Sequence, residues 1–136
     1  MFGLRKIHST SLYRKDVLFM KIRRGQLVWV NFEKENGSCQ SGKRPAVIVQ
    51  NNTGNKFSTT TMVLPITSKN KNKMPVHTAL SQEYDIAAKG NIIMAEQLTI
   101  IDKSQIMFIG DMLSEEDIKS VNRIILKQLS LKANIA

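Results

Sequence analysis

A chain of 136 residues with 42% hydrophobic residues can build one buried core, and this composition argues against a disordered protein. The single cysteine, Cys39, excludes an internal disulfide, and no apolar run reaches the roughly 18 residues that a membrane span needs. The formal net charge of +9 favours an acidic partner such as nucleic acid, although a basic surface kept only for solubility is the ordinary alternative.

Residues 1–20 show neither helical nor strand periodicity and carry four basic side chains against one acid, Asp16. We predict a mostly disordered N-terminal extension over 1–20 and a single folded domain over 21–136. The extension has no continuous apolar stretch and no small-residue cleavage site, so a secretory signal is not expected. Together with the lone cysteine, this predicts a cytoplasmic protein.

The middle of the chain is predicted to be β-rich, because its apolar residues alternate or form short β-branched runs between polar turns. Strands are predicted over residues 26–32, 45–50, 59–66, 76–80, 91–95 and 105–109. The segments 33–43 and 68–73 are predicted to be loops, and 51–58, which contains Asn-Asn and Gly54, is predicted to be a turn.

The period changes to that of a helix after Ser114, which is followed by three acids that suit a helix N-terminus. The apolar residues of this segment form one helical stripe, at Ile118, Val121, Ile125 and Leu129. The predicted fold class is therefore mainly β with a C-terminal α-helix, arranged as a curled sheet or a small barrel.

Several kinds of active site are excluded by the sequence. There is no Gly-rich phosphate loop and no paired-histidine metalloprotease motif. The eleven acids form no cluster for two divalent metals, so no metal site is predicted. A two-histidine ribonuclease would need His8, which lies in the extension, and His77 alone is more typical of a structural histidine.

An arginine and a hydroxyl remain as candidates for chemistry. Arg44 lies where a predicted loop enters a buried strand, and its guanidinium is suited to hold a phosphate and to stabilise developing charge. Thr67 ends the third predicted strand, and its hydroxyl is suited to hydrogen-bond the same phosphate. A loop salt bridge and a strand cap are the ordinary alternatives for these two residues.

Three lysines follow Thr67 in a short polar segment, at Lys69, Lys71 and Lys73. Lysines in this pattern are suited to position the backbone of a single strand without reading its sequence. A solvated turn explains them equally well.

Five segments resemble the MazF/PemK family of toxins in order and spacing over residues 21–131. They are RRGQLVWVNF, GSCQSGKRPAVIVQN, TMVLPITSK, MPVH and NIIMAEQLTIIDKSQI. The resemblance implies a curled antiparallel sheet like a small SH3-like barrel, a C-terminal helix and a homodimer. It also implies cleavage of single-stranded mRNA without a metal or other cofactor, and a cognate MazE/PemI-like antitoxin as partner.

The family's paired catalytic residues fall on Arg44 and Thr67. Attack by the ribose 2′-hydroxyl on the adjacent phosphate would leave a 2′,3′-cyclic phosphate and a 5′-hydroxyl. Where many members carry a loop acid, this chain has Cys39. The predicted RNA contacts are Ser38, Gln40, Lys43, Ser68, Lys69, Lys71, Lys73 and Gln97.

Two other functions fit part of the sequence. A CcdB-like toxin that inhibits gyrase would share the fold, but it depends on an apolar-aromatic tip after the last helix, and this chain has no tryptophan there. A plain nucleic-acid-binding module without catalysis would be compatible with the charge.

Overall fold

A computed structural model of the chain describes residues 5–6, 20–33, 42–68 and 74–132. Within these ranges the strands are β1 Arg5–Lys6, β2 Gln26–Phe32, β3 Gly42–Ile48, β4 Thr60–Thr67, β5 His77–Ala79, β6 Ile92–Met94, β7 Thr99–Asp102 and β8 Ile106–Met112. The helices are α1 Asn52–Phe57 and α2 Glu115–Gln128. No helix in the described part of the chain has the length and apolarity to cross a membrane.

The strands form one antiparallel sheet in the order β1-β8-β2-β3-β4-β6-β5, with β7 paired to β4. The sheet is curled but is not closed into a barrel, since β1 and β5 end the order at opposite edges. The prediction of a mainly β fold with a C-terminal helix is confirmed.

Alternating residues of the central strands form two separate buried cores, one on each face of the sheet. The core covered by α2 includes Leu27, Val47, Leu64, Ile66, Val121 and Ile124. The core on the other face includes Val28, Val30, Ala46, Ile48, Val63, Ile101 and Ile106. The two lists therefore show which face of the sheet each of these side chains occupies.

The helix α2 is anchored at its N-terminus by a buried polar network. Ser114 caps the helix by accepting from Asp117 N (3.2 Å), as the sequence predicts. The buried Asp117 carboxylate accepts from Tyr84 Oη (2.6 Å) and from Ser81 N (3.2 Å). Burial raises the pKa of the Tyr84 phenol, and its hydrogen bond to Asp117 adds to the shift.

The segment 51–58, predicted to be a turn, is instead built around α1. Asn51 caps this helix by accepting from Gly54 N (2.8 Å). Asn55 is buried within it and accepts from Thr61 Oγ1 (2.7 Å), and the fully buried Lys103 donates to the Asn55 carbonyl. Burial lowers the pKa of Lys103. Hydrogen bonds to residues of other elements therefore stabilise this helix, whereas the local sequence predicts a turn.

Other strand boundaries also differ from the prediction. The strand predicted over 45–50 begins at Gly42 and ends at Ile48, and the last strand runs to Met112. The strand β7, which was not predicted, pairs along β4 with Thr60 opposite Asp102. Only this long-range pairing identifies it, because its four residues lie between two short 3-10 turns.

Candidate active site

The ladder between β3 and β4 ends at Ala46 opposite Pro65. Val49 N donates to Met62 O (2.8 Å), so the odd-numbered residues of β3 direct their N–H groups towards β4. Pro45 occupies the next such position towards the N-terminal end of β3 and has no N–H to donate. The ladder therefore ends at this point, although both strands continue.

Arg44 and Thr67 lie at this end of the ladder, each two residues beyond the last pair on its own strand. Because side chains alternate along a strand, both project from the face that carries Ala46 and Pro65. Each is held by its other neighbouring strand, Arg44 in register with Val30 of β2 and Thr67 with Ile92 of β6. Both residues are half-buried.

This arrangement places a cation and a hydroxyl where the pairing between two strands ends. A guanidinium presents a planar fork of N–H donors that matches two phosphate oxygens, and a threonine hydroxyl adds a further hydrogen bond. The pair is therefore chemically suited to hold one phosphodiester. Both residues sit on regular strands, which hold side chains more firmly than loops do.

Successive side chains of a strand point to opposite faces, so Lys43 projects from the face opposite to Arg44. It lies in register with Asn31 of β2. On that face it lines a polar cleft of about 280 Å³ together with Asn31, Glu33, Ser104, Gln105 and Met107. The structure therefore does not bring Lys43 to the face that carries Arg44.

Two further predicted RNA contacts lie in the described part of the chain. Ser68 is exposed and directly follows Thr67. Gln97 ends the 3-10 turn Ala95–Gln97, which joins β6 to β7. Both of these strands pair with the edge of β4 that faces away from β3. The structure thus brings Ser68, but not Gln97, to the Arg44 end of the ladder.

The other predicted contacts lie outside the described residues and remain predictions. They are Ser38, Gln40, Lys69, Lys71 and Lys73, and the substituted loop position Cys39 lies outside as well. Within the described ranges, no three side chains among histidines, cysteines and acids come together as ligands for a metal.

A buried histidine lies on the far side of β6 from Thr67. His77 is 3% exposed, and its Nε2 lies 2.7 Å from Glu96 Oε2. The sequence indicated a structural histidine but did not indicate this partner, which is 19 residues away. The MPVH and AEQL segments carry the two residues, but nothing local in either predicts the contact.

The family model for the PemK-like, MazF-like toxin of type II toxin–antitoxin systems matches residues 23–129. A curated relative, Endoribonuclease MazF of Staphylococcus saprophyticus subsp. saprophyticus, is 37% identical over 105 residues. That match covers 76% of this chain and 88% of the relative.

Solved structures of the same kind share the fold. The crystal structure of MazF from Deinococcus radiodurans has a TM-score of 0.68 at 21% identity, covering 81% of this chain and 97% of that one. An endoribonuclease from a mycobacterial species, solved in complex with its cognate antitoxin, has a TM-score of 0.64 at 18% identity and covers 83% and 97%.

Proposed function

Because this chain belongs to the PemK-like, MazF-like toxin family of type II toxin–antitoxin systems, we propose that it is a toxin that cuts single-stranded mRNA at short sequence motifs. The observation that carries the proposal is 37% identity to an endoribonuclease over 76% of this chain. These relatives lend no support to the alternative of a gyrase inhibitor without nuclease activity.

The proposed reaction uses the 2′-hydroxyl of the RNA as the nucleophile. Its oxygen attacks the adjacent phosphorus, the O2′–P bond forms and the P–O5′ bond breaks. The products carry a 2′,3′-cyclic phosphate and a 5′-hydroxyl. The 2′-hydroxyl loses one proton and the 5′ oxygen gains one, so neither water nor a cofactor enters the balance. DNA of the same sequence resists the reaction because it lacks this hydroxyl.

Arg44 and Thr67 are the proposed catalytic residues. A guanidinium is protonated at every ordinary pH, so Arg44 acts as a donor that clamps the phosphate and stabilises its growing charge. Thr67 orients the same phosphate, or the leaving oxygen, through its hydroxyl. The two positions at the open end of the β3–β4 ladder are consistent with these roles.

The remaining predicted contacts are proposed to position the RNA. Lys43, Ser68 and Gln97 would do so from the described part of the chain. The same role is proposed for the residues outside it, Ser38, Gln40, Lys69, Lys71 and Lys73.

The partners follow from the same proposal. A basic protein that binds RNA, here with a net charge of +9, also suits an acidic, partly disordered antitoxin tail. We therefore extend the proposal to a cognate MazE/PemI-like antitoxin, a homodimer and a cytoplasmic location. The mycobacterial neighbour, which was solved with its cognate antitoxin, supports the first of these.

The domain is proposed to span 21–136, with residues 1–20 as an extension. The family match begins at residue 23, after this extension. Within 1–20 the described residues are Arg5–Lys6, whose backbone pairs with Ile109 and Phe108 of β8, and Met20.

The test is to incubate the purified protein with a long transcript in the presence of EDTA and to map the ends. We expect cuts at a recurrent short motif, with 5′-hydroxyl ends that a polynucleotide kinase labels directly. The Arg44→Ala variant and DNA of the same sequence are the matched controls. Absence of cuts by a folded protein overturns the proposal, and cleaved DNA trapped on gyrase would favour the alternative.

A further inference from the structure

A cavity of about 400 Å³ lies between residues 20–26 and the helix α1. Its lining is mostly apolar. Met20 and Ile22 supply two of its walls, and both pack on the core that faces away from α2. The cavity is therefore continuous with the folded core, and it is large enough for one aliphatic side chain of a ligand.

The two sides of the cavity are held together by hydrogen bonds. Asn52 Oδ1 accepts from Arg24 N (2.7 Å) and from Asn55 Nδ2 (3.3 Å), so it joins the N-terminal segment to α1. Arg24 Nε donates to Val49 O (3.0 Å), and the buried Lys103 donates to the Asn55 carbonyl. Because these contacts form the cavity before a ligand arrives, binding has a low ordering cost.

The surface around the cavity is positively charged. Lys21, Arg23 and Lys56 line it, and all three residues are exposed. Within the described ranges, no carboxylate lies within ion-pair distance of these three cations. No acid is among the described residues that line the cavity. The charge therefore complements an acidic ligand.

The lining favours a peptide over a nucleic acid. Sites for single-stranded nucleic acid combine cations with aromatic side chains on which bases stack. No aromatic side chain is among the described residues that line the cavity. Phe57 follows Lys56 on α1 and is exposed outside the lining, and Lys56 Nζ lies 5.3 Å from the centroid of its ring. An exposed aromatic side chain beside a pocket is typical of protein interfaces.

The cavity is remote from the candidate catalytic pair. Gln26 lines the cavity, and the adjacent Gly25 N donates to Ile48 O (2.7 Å) at the C-terminal end of β3. Arg44 lies near the other end of β3, about 13 Å away at the rise of a strand. A ligand in the cavity therefore leaves the Arg44 end of the β3–β4 ladder uncovered.

We propose that this cavity is a docking site for an acidic segment of a partner protein. One aliphatic side chain of that segment enters between Met20 and α1, and its carboxylates meet Lys21, Arg23 and Lys56. The inference does not depend on the proposed ribonuclease activity. The chain's own residues 1–19 do not complement the site, because they carry four basic side chains against one acid.

The test uses the full-length protein and short labelled peptides in which one leucine, isoleucine or methionine lies between glutamates. Fluorescence anisotropy measures the Kd. One set of control peptides replaces the aliphatic residue by serine, and another replaces the glutamates by glutamine. We expect binding of the parent peptides and a loss of affinity in both controls, since the site recognises an apolar side chain and negative charge together.

Charge reversal at the cavity should weaken binding of the parent peptides. Arg23→Glu and Lys56→Glu should each raise Kd on the order of tenfold, because a surface attraction is replaced by a repulsion. Arg123→Glu and Lys127→Glu are the matched controls, since they change the same charge on the exposed surface of α2 and should leave Kd unchanged. Met20→Ser should also raise Kd, because it removes apolar contact area.

The inference is overturned if the wild type binds none of the parent peptides, or if the cavity variants and the α2 variants change Kd equally. Displacement of the peptide by an uncleavable 2′-deoxy oligonucleotide would assign the cavity to nucleic acid instead. Tighter binding after deletion of residues 1–19 would assign it to the chain's own extension. Thermal unfolding establishes that each variant is folded, and the exposed Lys56→Glu keeps the test decisive if Met20→Ser does not fold.

Discussion

Arg44 and Thr67 occupy matching positions on neighbouring strands, each two residues past the Ala46–Pro65 pair, at the end where Pro45 interrupts the ladder. In the register of that ladder they fall on a non-hydrogen-bonded position, where side chains of antiparallel strands approach most closely. The proline removes one hydrogen bond between the strands, and the gap lies beside the two groups proposed to hold a phosphate.

Replacing either side chain should abolish most cleavage without unfolding the protein. Arg44→Ala and Thr67→Val should each lower kcat by about 10²- to 10³-fold, the usual effect of removing one donor to a developing oxyanion. Arg44→Lys should also be poor, because an ammonium lacks the planar fork. Single-turnover cleavage of a mapped transcript measures the loss.

Thr67→Ser is the matched control, since it keeps the hydroxyl and should keep most of the activity. Full activity in Arg44→Ala or in Thr67→Val would remove that residue from the catalytic site. Circular dichroism and thermal melting exclude unfolding as the cause of a loss.

The three lysines within residues 69–73 should contribute charge to RNA binding rather than sequence selectivity. Replacing Lys69, Lys71 and Lys73 by alanine should weaken binding of an uncleavable oligonucleotide and leave the cut motif unchanged. The slope of log affinity against log salt should fall by about 0.7 for each phosphate that a lysine no longer neutralises, hence by about 2 for all three.

A second triple variant removes the same charge elsewhere. Lys119, Arg123 and Lys127 lie exposed on α2, which covers the face opposite to Arg44 and Thr67. Their replacement by alanine should leave the salt slope unchanged. Equal slopes in the two triple variants would mean that net charge alone governs binding.

The elements with strong local patterns were predictable, and those defined by distant contacts were not. Alternation located β2 at residues 26–32, and the acids after Ser114 located the start of α2. The helix α1 was not predicted, because the buried Asn55 is held by hydrogen bonds from Thr61 and Lys103, which belong to other elements. Loop-like composition dominated the local signal there.

The candidate site shows the same division. Arg44 and Thr67 were predicted from residue type and from the family resemblance, but neither source gives their register across the β3–β4 ladder. The His77–Glu96 contact spans 19 residues and depends on the pairing of β5 with β6, which periodicity cannot supply.

Deleting residues 1–19 should leave both folding and cleavage intact. The described cores begin at Met20 and Ile22, and the family match begins later still. Thermal melting and RNA cleavage by the truncated protein measure the two properties. Loss of either would show that the extension is part of the domain.

The deletion should instead affect the edge of β8. Arg5–Lys6 pairs with that edge at Ile109 and Phe108, within an apolar run that begins at Ile106. An uncovered apolar edge strand favours pairing with another chain. Light scattering should therefore detect more self-association after deletion of residues 1–19 than after deletion of residues 1–4, which retains Arg5 and Lys6.

Asp85 should make stability depend on pH. Asp85 N donates to Asp111 Oδ2 (3.1 Å) and Asp111 N donates to Asp85 Oδ1 (3.0 Å), while Asp85 Oδ2 is buried without a partner in the described part of the chain. Burial raises the pKa of Asp85, and the negative charge of Asp111 adds to the shift. The folded protein therefore binds this proton more tightly than the unfolded chain does.

It follows that the ionised Asp85 destabilises the fold at neutral pH, and that this penalty disappears as the pH falls through its raised pKa. Asp85→Asn keeps an oxygen for Asp111 N and removes the charge, so it should be at least as stable as the wild type at pH 7. Its advantage should shrink as the pH falls below neutrality, because the wild-type carboxyl then becomes protonated too. Urea midpoints at several pH values measure the difference, with the exposed Glu33→Gln as control. A difference that stays constant with pH would show that the Asp85 charge does not oppose folding.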